Sequence, residues 1–260
     1  MIKLLKIYLQ GIKISLASRM AYRGDFFLSI FIMLIGELIA PLTMFLVYRS
    51  GAAFPDWNLY EVLLIQAIFL ISKGIASPLF FGILYNTLSR VREGTFDILL
   101  IKPHSALFMS MVTAFDTEDF GKFIGGVGLM TIALFNLPRP GLVQWLQFII
   151  LMVLSIITLF SFTLIMAGSV FKWVGNSRVF EIFDSITNFG LYPASIFSKS
   201  LQLIITSIIP VAIIGFLPAS MLLGKPSGGI FEAALSGLVF LAFRLWFWNF
   251  MLGKYTSSGG

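Results

Sequence analysis

Long apolar runs alternate with short polar breaks along this chain. Residues 26–48, FFLSIFIMLIGELIAPLTMFLVY, form the first run, and the polar stretch RSGAAFPDWN follows it. A second run covers 59–84, carries Lys73 and ends near Pro78; a third covers 120–137. The turn PRPG separates that one from a fourth at 144–171, and the last spans 230–251. A helix needs about 20 apolar residues to cross a hydrocarbon core of about 30 Å. A membrane β-barrel would instead show short segments of alternating polarity. The pattern is ambiguous between 178 and 230. Residues 179–197 contain Glu181 and Asp184, whereas 200–217 is cleaner but is broken by Pro210 and runs into Pro218. One of the two crosses, and the other lies at an interface or re-enters. The expected fold is an all-α polytopic membrane protein, a single domain over 1–260 with six transmembrane helices bundled within 26–251.

Ahead of that bundle, 2–24 reads as an interfacial helix. Lys3, Lys6, Gln10, Lys13 and Ala17 recur at helical spacing on one face, and Ile2, Leu5, Leu9, Ile12 and Leu16 on the other. A basic face opposite an apolar one suits a helix lying in the membrane surface. A soluble core helix would show the same stripe, but the apolar context argues against it. The lysines also interrupt any continuous apolar stretch of the kind a cleavable signal peptide needs.

Composition strengthens the membrane reading. The chain is 58% apolar and 12% charged, with a mean hydropathy of +0.96; soluble domains carry about 25% charged residues. The net charge is +6, and its distribution indicates orientation. Cations gather before residue 24, in 90–102, in 172–178 and in the tail, and cytoplasmic loops collect Lys and Arg. Six spans then place both termini, 90–103 and 172–178 in the cytoplasm, with 50–58 and 138–142 outside. With no cysteine and only His104 as histidine, nothing suggests a zinc site, and nothing suggests nucleic acid as a partner.

The densest charge lies in an island. Arg90, Arg92, Glu93, Asp97 and Lys102 fall within SRVREGTFDILLIKPHS, residues 89–105. In it a polar, capping-competent stretch precedes Leu99 and Leu100, which must bury against something, and Pro103 stops the segment. A solvated loop obeying the charge rule is the plain alternative. RVREGTFDILLIKP resembles a loop of bacterial ATP-binding-cassette permeases of the type-2 exporter class. There a glycine, an aspartate, paired leucines, a basic residue and a proline recur, here Gly94, Asp97, Leu99, Leu100, Lys102 and Pro103. The ending YTSSGG, LYP at 191–193 and FLPASMLLG at 216–224 resemble the same subfamily.

The resemblance implies an interfacial helix, six spans and a re-entrant segment before the last of them, making 179–197 the fifth span and 200–217 the re-entrant part. It also implies docking on separate ATPase subunits through Arg92, Glu93, Gly94, Asp97, Leu99, Leu100, Lys102 and Pro103. ATP and Mg would be bound by that partner, leaving no cofactor in this chain. The partners implied are the ATPase subunits, a second permease (self or paralogue) and the lipid of a bacterial inner membrane. The activity implied is export of a hydrophobic or amphipathic cargo by alternating access.

Other candidate sites are sparse. A phosphate-binding loop needs a glycine-rich turn ending in Lys and Ser or Thr; the nearest approach, LLGKPS, has proline after the lysine. No GxSxG elbow appears either, so the chain is expected to be a non-catalytic transport subunit. Glu37 and Lys73 lie within the first two spans, where charge is costly unless paired or wetted. A Glu37–Lys73 ion pair, structural or lining a pathway, is the expectation. Asp116, Glu118 and Asp119 precede the third span, where acid complements a helix dipole. Gly121, Gly125, Gly126 and Gly128 suit close helix packing. An intramembrane enzyme lacks its clustered side chains here, an ion-coupled carrier lacks visible repeats, and a membrane scaffold remains the bland alternative.

Overall fold

A computed structural model describes residues 2–116, 119–173, 178–225 and 230–256. The described residues are helical, without strands. Helix α1 (Ile2–Met20) leads into α2 (Arg23–Glu37) and α3 (Ile39–Arg49), which together make one nearly continuous 27-residue rod. Helix α4 (Leu59–Ala76) continues through a π-helical turn at Ser77–Phe81 into α5 (Gly82–Arg92). Two short helices follow, α6 (Asp97–Leu100) and α7 (Ala106–Val112), then α8 (Phe120–Phe135) and α9 (Leu142–Val170). Helix α10 (Val179–Thr187), α11 (Lys199–Leu203), α12 (Phe216–Leu222) and α13 (Ile230–Leu252) complete the chain. Among the described residues, four helices are long and apolar enough to cross a membrane: Arg23–Arg49, Leu59–Arg92, Leu142–Val170 and Ala234–Leu252. At 16 residues α8 is shorter, about 24 Å.

Helix α4 is the axis of the bundle. It packs against α8, α9, α12 and α3, and 15 of its 18 residues are buried. Its start is fixed by a capping box: the Asn58 side chain accepts from the Glu61 amide, and Glu61 accepts from the Asn58 amide. Small residues set its distance to α8. A methyl group on Gly126 would lie 2.9 Å from the Ala67 carbonyl oxygen, and one on Gly74 would meet the Phe123 backbone. Gly121 serves α2 in the same way at Ile30. Gly125 and Gly128 face no such neighbour, so two of the four expected packing glycines carry the contacts.

Pro78 does not end the second span as the sequence suggests. Proline lacks an amide hydrogen and clashes with the carbonyl four residues back, and the widened turn at Ser77–Phe81 absorbs both faults. The Pro78 carbonyl is then free to accept from the Asp116 amide at 2.9 Å. The helix therefore runs 34 residues, Leu59–Arg92, about 50 Å and well beyond the hydrocarbon core.

Residues 188–222 are assembled from fragments. A 3₁₀ turn at Asn188–Leu191 follows α10, another sits at Ala194–Ile196, and a π turn at Ile204–Ile208 follows α11. Broken backbone deep in a bundle needs partners for its exposed carbonyls. Ile214 finds two, accepting from the Ser72 and Ser155 hydroxyls at 2.9 and 3.3 Å. The fragments cross at glycines: a methyl on Gly215 would lie 2.6 Å from the Gly190 carbonyl oxygen.

Two apolar cores result. The larger joins α4, α8, α9 and 211–222, while the smaller joins α5, α6, α7 and the ends of α9 and α13. The smaller core marks the island end of the molecule. At the opposite end Trp57 donates to the Ser195 hydroxyl at 3.0 Å, and Lys225 pairs with Glu61 at 2.7 Å. Helix α1 packs on α7 at Gly11 and Val112, at the island end. Its predicted apolar stripe divides: Ile12 and Leu16 are half-buried, whereas Leu5 and Leu9 stay exposed with Leu4 and Ile14. Arg244 departs from the interfacial placement its aromatic neighbours suggest. It is buried against α9, donating to Ile157 O and Ser161 Oγ over the Phe160 ring.

Candidate functional site

A cavity of about 420 Å³ opens beside α4, at the joint of α2 and α3. Met44, Phe69, Leu70, Leu191 and Tyr192 give it apolar walls; Glu37, Gln66, Lys73, Asp184 and Asn188 give it polar ones. The five polar groups come from three features of the fold. Glu37 ends α2 just where the rod is interrupted at Leu38. Gln66 and Lys73 stand two turns apart on the central helix, and Asp184 and Asn188 stand one turn apart at the end of α10.

The expected Glu37–Lys73 ion pair is not formed. Lys73 Nζ donates to Asp184 Oδ1 at 2.7 Å and to Asn188 Oδ1 at 3.4 Å, and lies 4.9 Å from the Phe69 ring centre. Glu37 pairs with Lys122 at 3.6 Å, and Lys122 pairs more closely with Asp119 at 2.8 Å. The physical reason is reach. Helix α8 wedges between α2 and α4 and presents its own lysine to Glu37, while α10 brings a carboxylate to Lys73. Glu37 and Lys73 still line one cavity.

A second cavity, of about 540 Å³, lies towards the island end, with Arg19, Asn86, Asp116, Asp119 and Lys122 in its wall. Lys122 thus stands between the two cavities, bonded to a carboxylate on each side. Asp116 pairs with Arg19 of α1 at 3.5 Å, so this acid ties the first helix down rather than capping α8. Glu118 lies outside the described residues.

The island is built as a bracket between α5 and α7. Helix α5 ends in a Schellman motif: Thr95 N donates to Arg90 O at 2.8 Å and Gly94 N to Val91 O at 3.4 Å. Gly94 sits at φ +68°, a left-handed conformation that costs other residues more. The chain then turns Phe96 inward. Phe96 is 0% exposed, with the rings of Phe171 and Tyr255 at 4.9 and 5.3 Å; Phe171 in turn meets Trp248 at 5.1 Å. The leucine pair does not act as a pair. Leu99 is buried in this chain's own core, and Leu100 is exposed on the other side with Ile98 and Ile101. Asp97 is the first residue of α6, not its N-cap. Arg92, Glu93, Lys102 and Pro103 are exposed around it.

The sequence over residues 31–259 matches the family described as ABC-2 family transporter protein. That range holds every element from within α2 to the tail, including the cavity and the island. The chain belongs to the ABC-2 transporter family. It is a multi-pass membrane permease, and the family implies partnership with ATP-binding-cassette ATPase subunits. Comparisons with curated proteins and with solved structures returned no match.

Sequence pattern alone assigns no role to several residues of this ABC-2 permease. Phe96 lies inside the quoted island but looks like one of 28 phenylalanines. Tyr255 belongs to the quoted tail, and its contact with Phe96 shows that the two motifs meet in space. Asp184 and Lys122 were visible as charges inside apolar runs, which is the signal that marks them. Gln66 carried the same signal more faintly. The 172–178 loop falls partly outside the described residues, at 174–177.

Proposed function

We propose that this permease is the membrane-spanning subunit of an ABC exporter, working as half of a permease dimer with separate ATPase subunits and moving a hydrophobic or amphipathic cargo by alternating access. The observation that carries the reading is the two-faced island. Phe96 and Leu99 key it into the ends of α9 and α13, while Ile98, Leu100 and Ile101 remain exposed, Ile101 at 82%, beside Lys102. Apolar side chains held out at the polar end of a bundle mark a protein contact. A partner pressing on that face moves α5, α9 and α13 together, because Phe96 has no slack to absorb the push.

The same reading assigns six crossings, both termini in the cytoplasm and the island with them. Residues 179–197 form the fifth crossing and 199–222 dip into the bundle and return. The Ser195–Trp57 contact, the depth of Ile214 beside Ser72, and the return of Lys225 to Glu61 support that path. A cysteine placed singly at Ser105 in this cysteine-free chain should label only from the cytoplasmic side of inverted vesicles. Labelling of intact cells would reverse the orientation.

The coupling role is tested with two serine variants that differ in face. Leu100→Ser/Ile101→Ser should fold normally yet lose ATPase copurification about tenfold or more, since two half-buried apolar contacts amount to about 1.5–3 kcal/mol. Leu99→Ser should instead lower the thermal stability of the permease itself, because its contacts are internal. A well-inserted Leu100→Ser/Ile101→Ser permease that keeps both its ATPase and coupled ATP hydrolysis would overturn the docking assignment.

A further inference from the structure

We propose that the cavity beside α4 binds an amphiphile with a cationic head, so that the cargo class of this permease is an apolar cation. The inference rests on the permease reading and adds the charge preference of its site. Three charged groups line it, Glu37, Lys73 and Asp184, and Lys122 reaches Glu37 from behind its wall. The side chains of Lys73 and Lys122 are 9% and 17% exposed, whereas those of Asp184 and Glu37 are 62% and 29% exposed. The two ammoniums are thus sunk into the protein, while Asp184 and Glu37 stand further forward, both in the cavity wall. The cavity wall itself holds one cation, Lys73, and two anions, Glu37 and Asp184, so the lining carries one negative charge in excess.

Asp184 accepts from Lys73 through Oδ1 and from Asn188 Nδ2 through Oδ2, yet its side chain stays 62% exposed, leaving an open edge that favours water or a second cation. Independent of the charges, Gln66 points to a ligand. It is 0% exposed, borders the cavity, and neither its Oε1 nor its Nε2 has a hydrogen-bond partner. Buried amides are rarely left so. With the Gln66 amide turned into the cavity, a protonated amine would donate to its Oε1 while its charge faces Glu37 and Asp184. The apolar remainder would lie against Phe69, Leu70, Met44 and Leu191. The volume, about 420 Å³, falls in the range of small-molecule sites.

Tetraphenylphosphonium and tetraphenylborate have matched shapes and opposite charges, so they separate charge preference from greasiness. With purified permease in nanodiscs, free of ATPase, tetraphenylphosphonium should bind saturably and tetraphenylborate should not. Glu37→Gln should weaken the cation about tenfold, as removal of a partly desolvated partner charge does, and Glu37→Asp should restore most of it. Dodecylamine should displace the bound cation, and Gln66→Leu should raise the concentration needed about tenfold. Asp184→Asn strands Lys73 and risks misfolding, so Glu37 carries the test. Equal binding of both probes, no saturable cation binding, or indifference to Glu37→Gln would each overturn the proposal. Because no ATPase is present, those outcomes leave the permease reading to its own copurification test.

Discussion

The rod Arg23–Arg49 and the helix Leu59–Arg92, whose first half is α4, are both apolar enough to cross a membrane, and the most apolar stretch of the rod is the greasier. The rod has no buried residue in its first half and only Pro41 and Met44 in its second. Helix α4 is enclosed by four neighbours although it carries Glu61, Gln66, Ser72 and Lys73. Greasiness therefore does not report burial in this molecule. Lipid accepts an apolar side chain as readily as a protein core does, so the inside is marked by what lipid will not accept: polar groups with partners, and glycines that admit a neighbouring backbone.

One substitution made in both regions gives the sharpest break. Gly74→Ala places a methyl against the Phe123 backbone and should cost about 2–3 kcal/mol, as overpacking of a tight contact does. Gly24→Ala, in the rod, meets nothing within 4 Å and should stabilise by up to about 0.5–1 kcal/mol through helix propensity alone. Opposite shifts in thermal unfolding midpoint in detergent are the expected reading. Shifts of one sign and size would erase the distinction between the regions.

A smaller effect separates the charge pairs. Asp184→Asn removes the counter-charge of a buried ammonium, which in a fully buried pair costs about 3–5 kcal/mol; the exposure of Asp184 reduces this to about 1–2 kcal/mol. In a double-mutant cycle with Lys73→Met the two losses should fall short of additive by about 1 kcal/mol. The cycle of Glu37→Gln with Lys73→Met should add to within about 0.5 kcal/mol, since each residue has another partner. Coupling of the second pair above that of the first would contradict the geometry.

Smallest of all should be Phe31→Ala and Ile35→Ala on the open face of the rod. Each should change the stability of the isolated permease by no more than about 0.5 kcal/mol. A much larger loss seen only in the assembled transporter would identify that face as covered by protein rather than lipid.

The sequence made most of the helical plan legible because long apolar runs have few alternatives. Every run from 26–48 to 230–251 corresponds to a helix or to part of one, with shifted ends. What it left open follows from contacts distant along the chain. Pro78 looked like a stop because the π turn that absorbs it has no local signature. Glu37 and Lys73 read as partners only if neighbouring spans touch along that face, whereas α8 intervenes. Adjacent Leu99 and Leu100 looked alike, but side chains one residue apart on a helical turn point in different directions. The fragments of 188–222 were unreadable by periodicity, since none is long enough to show one. Family resemblance, not hydropathy, offered an order for them.

The bond between Lys73 and Asp184 also has a history in each molecule's synthesis. The two residues lie 111 positions apart, and ribosomes add about 5–20 residues per second. For roughly 5–20 s of every synthesis, the helix that becomes the axis of the bundle waits in or beside the membrane before its aspartate exists. The helices that will wrap it, α8, α9 and α12, are also still to be made. Its lysine must be kept wet or sheltered by the insertion machinery through that interval. The centre of this permease is therefore the part whose birth depends most on what accompanies the nascent chain.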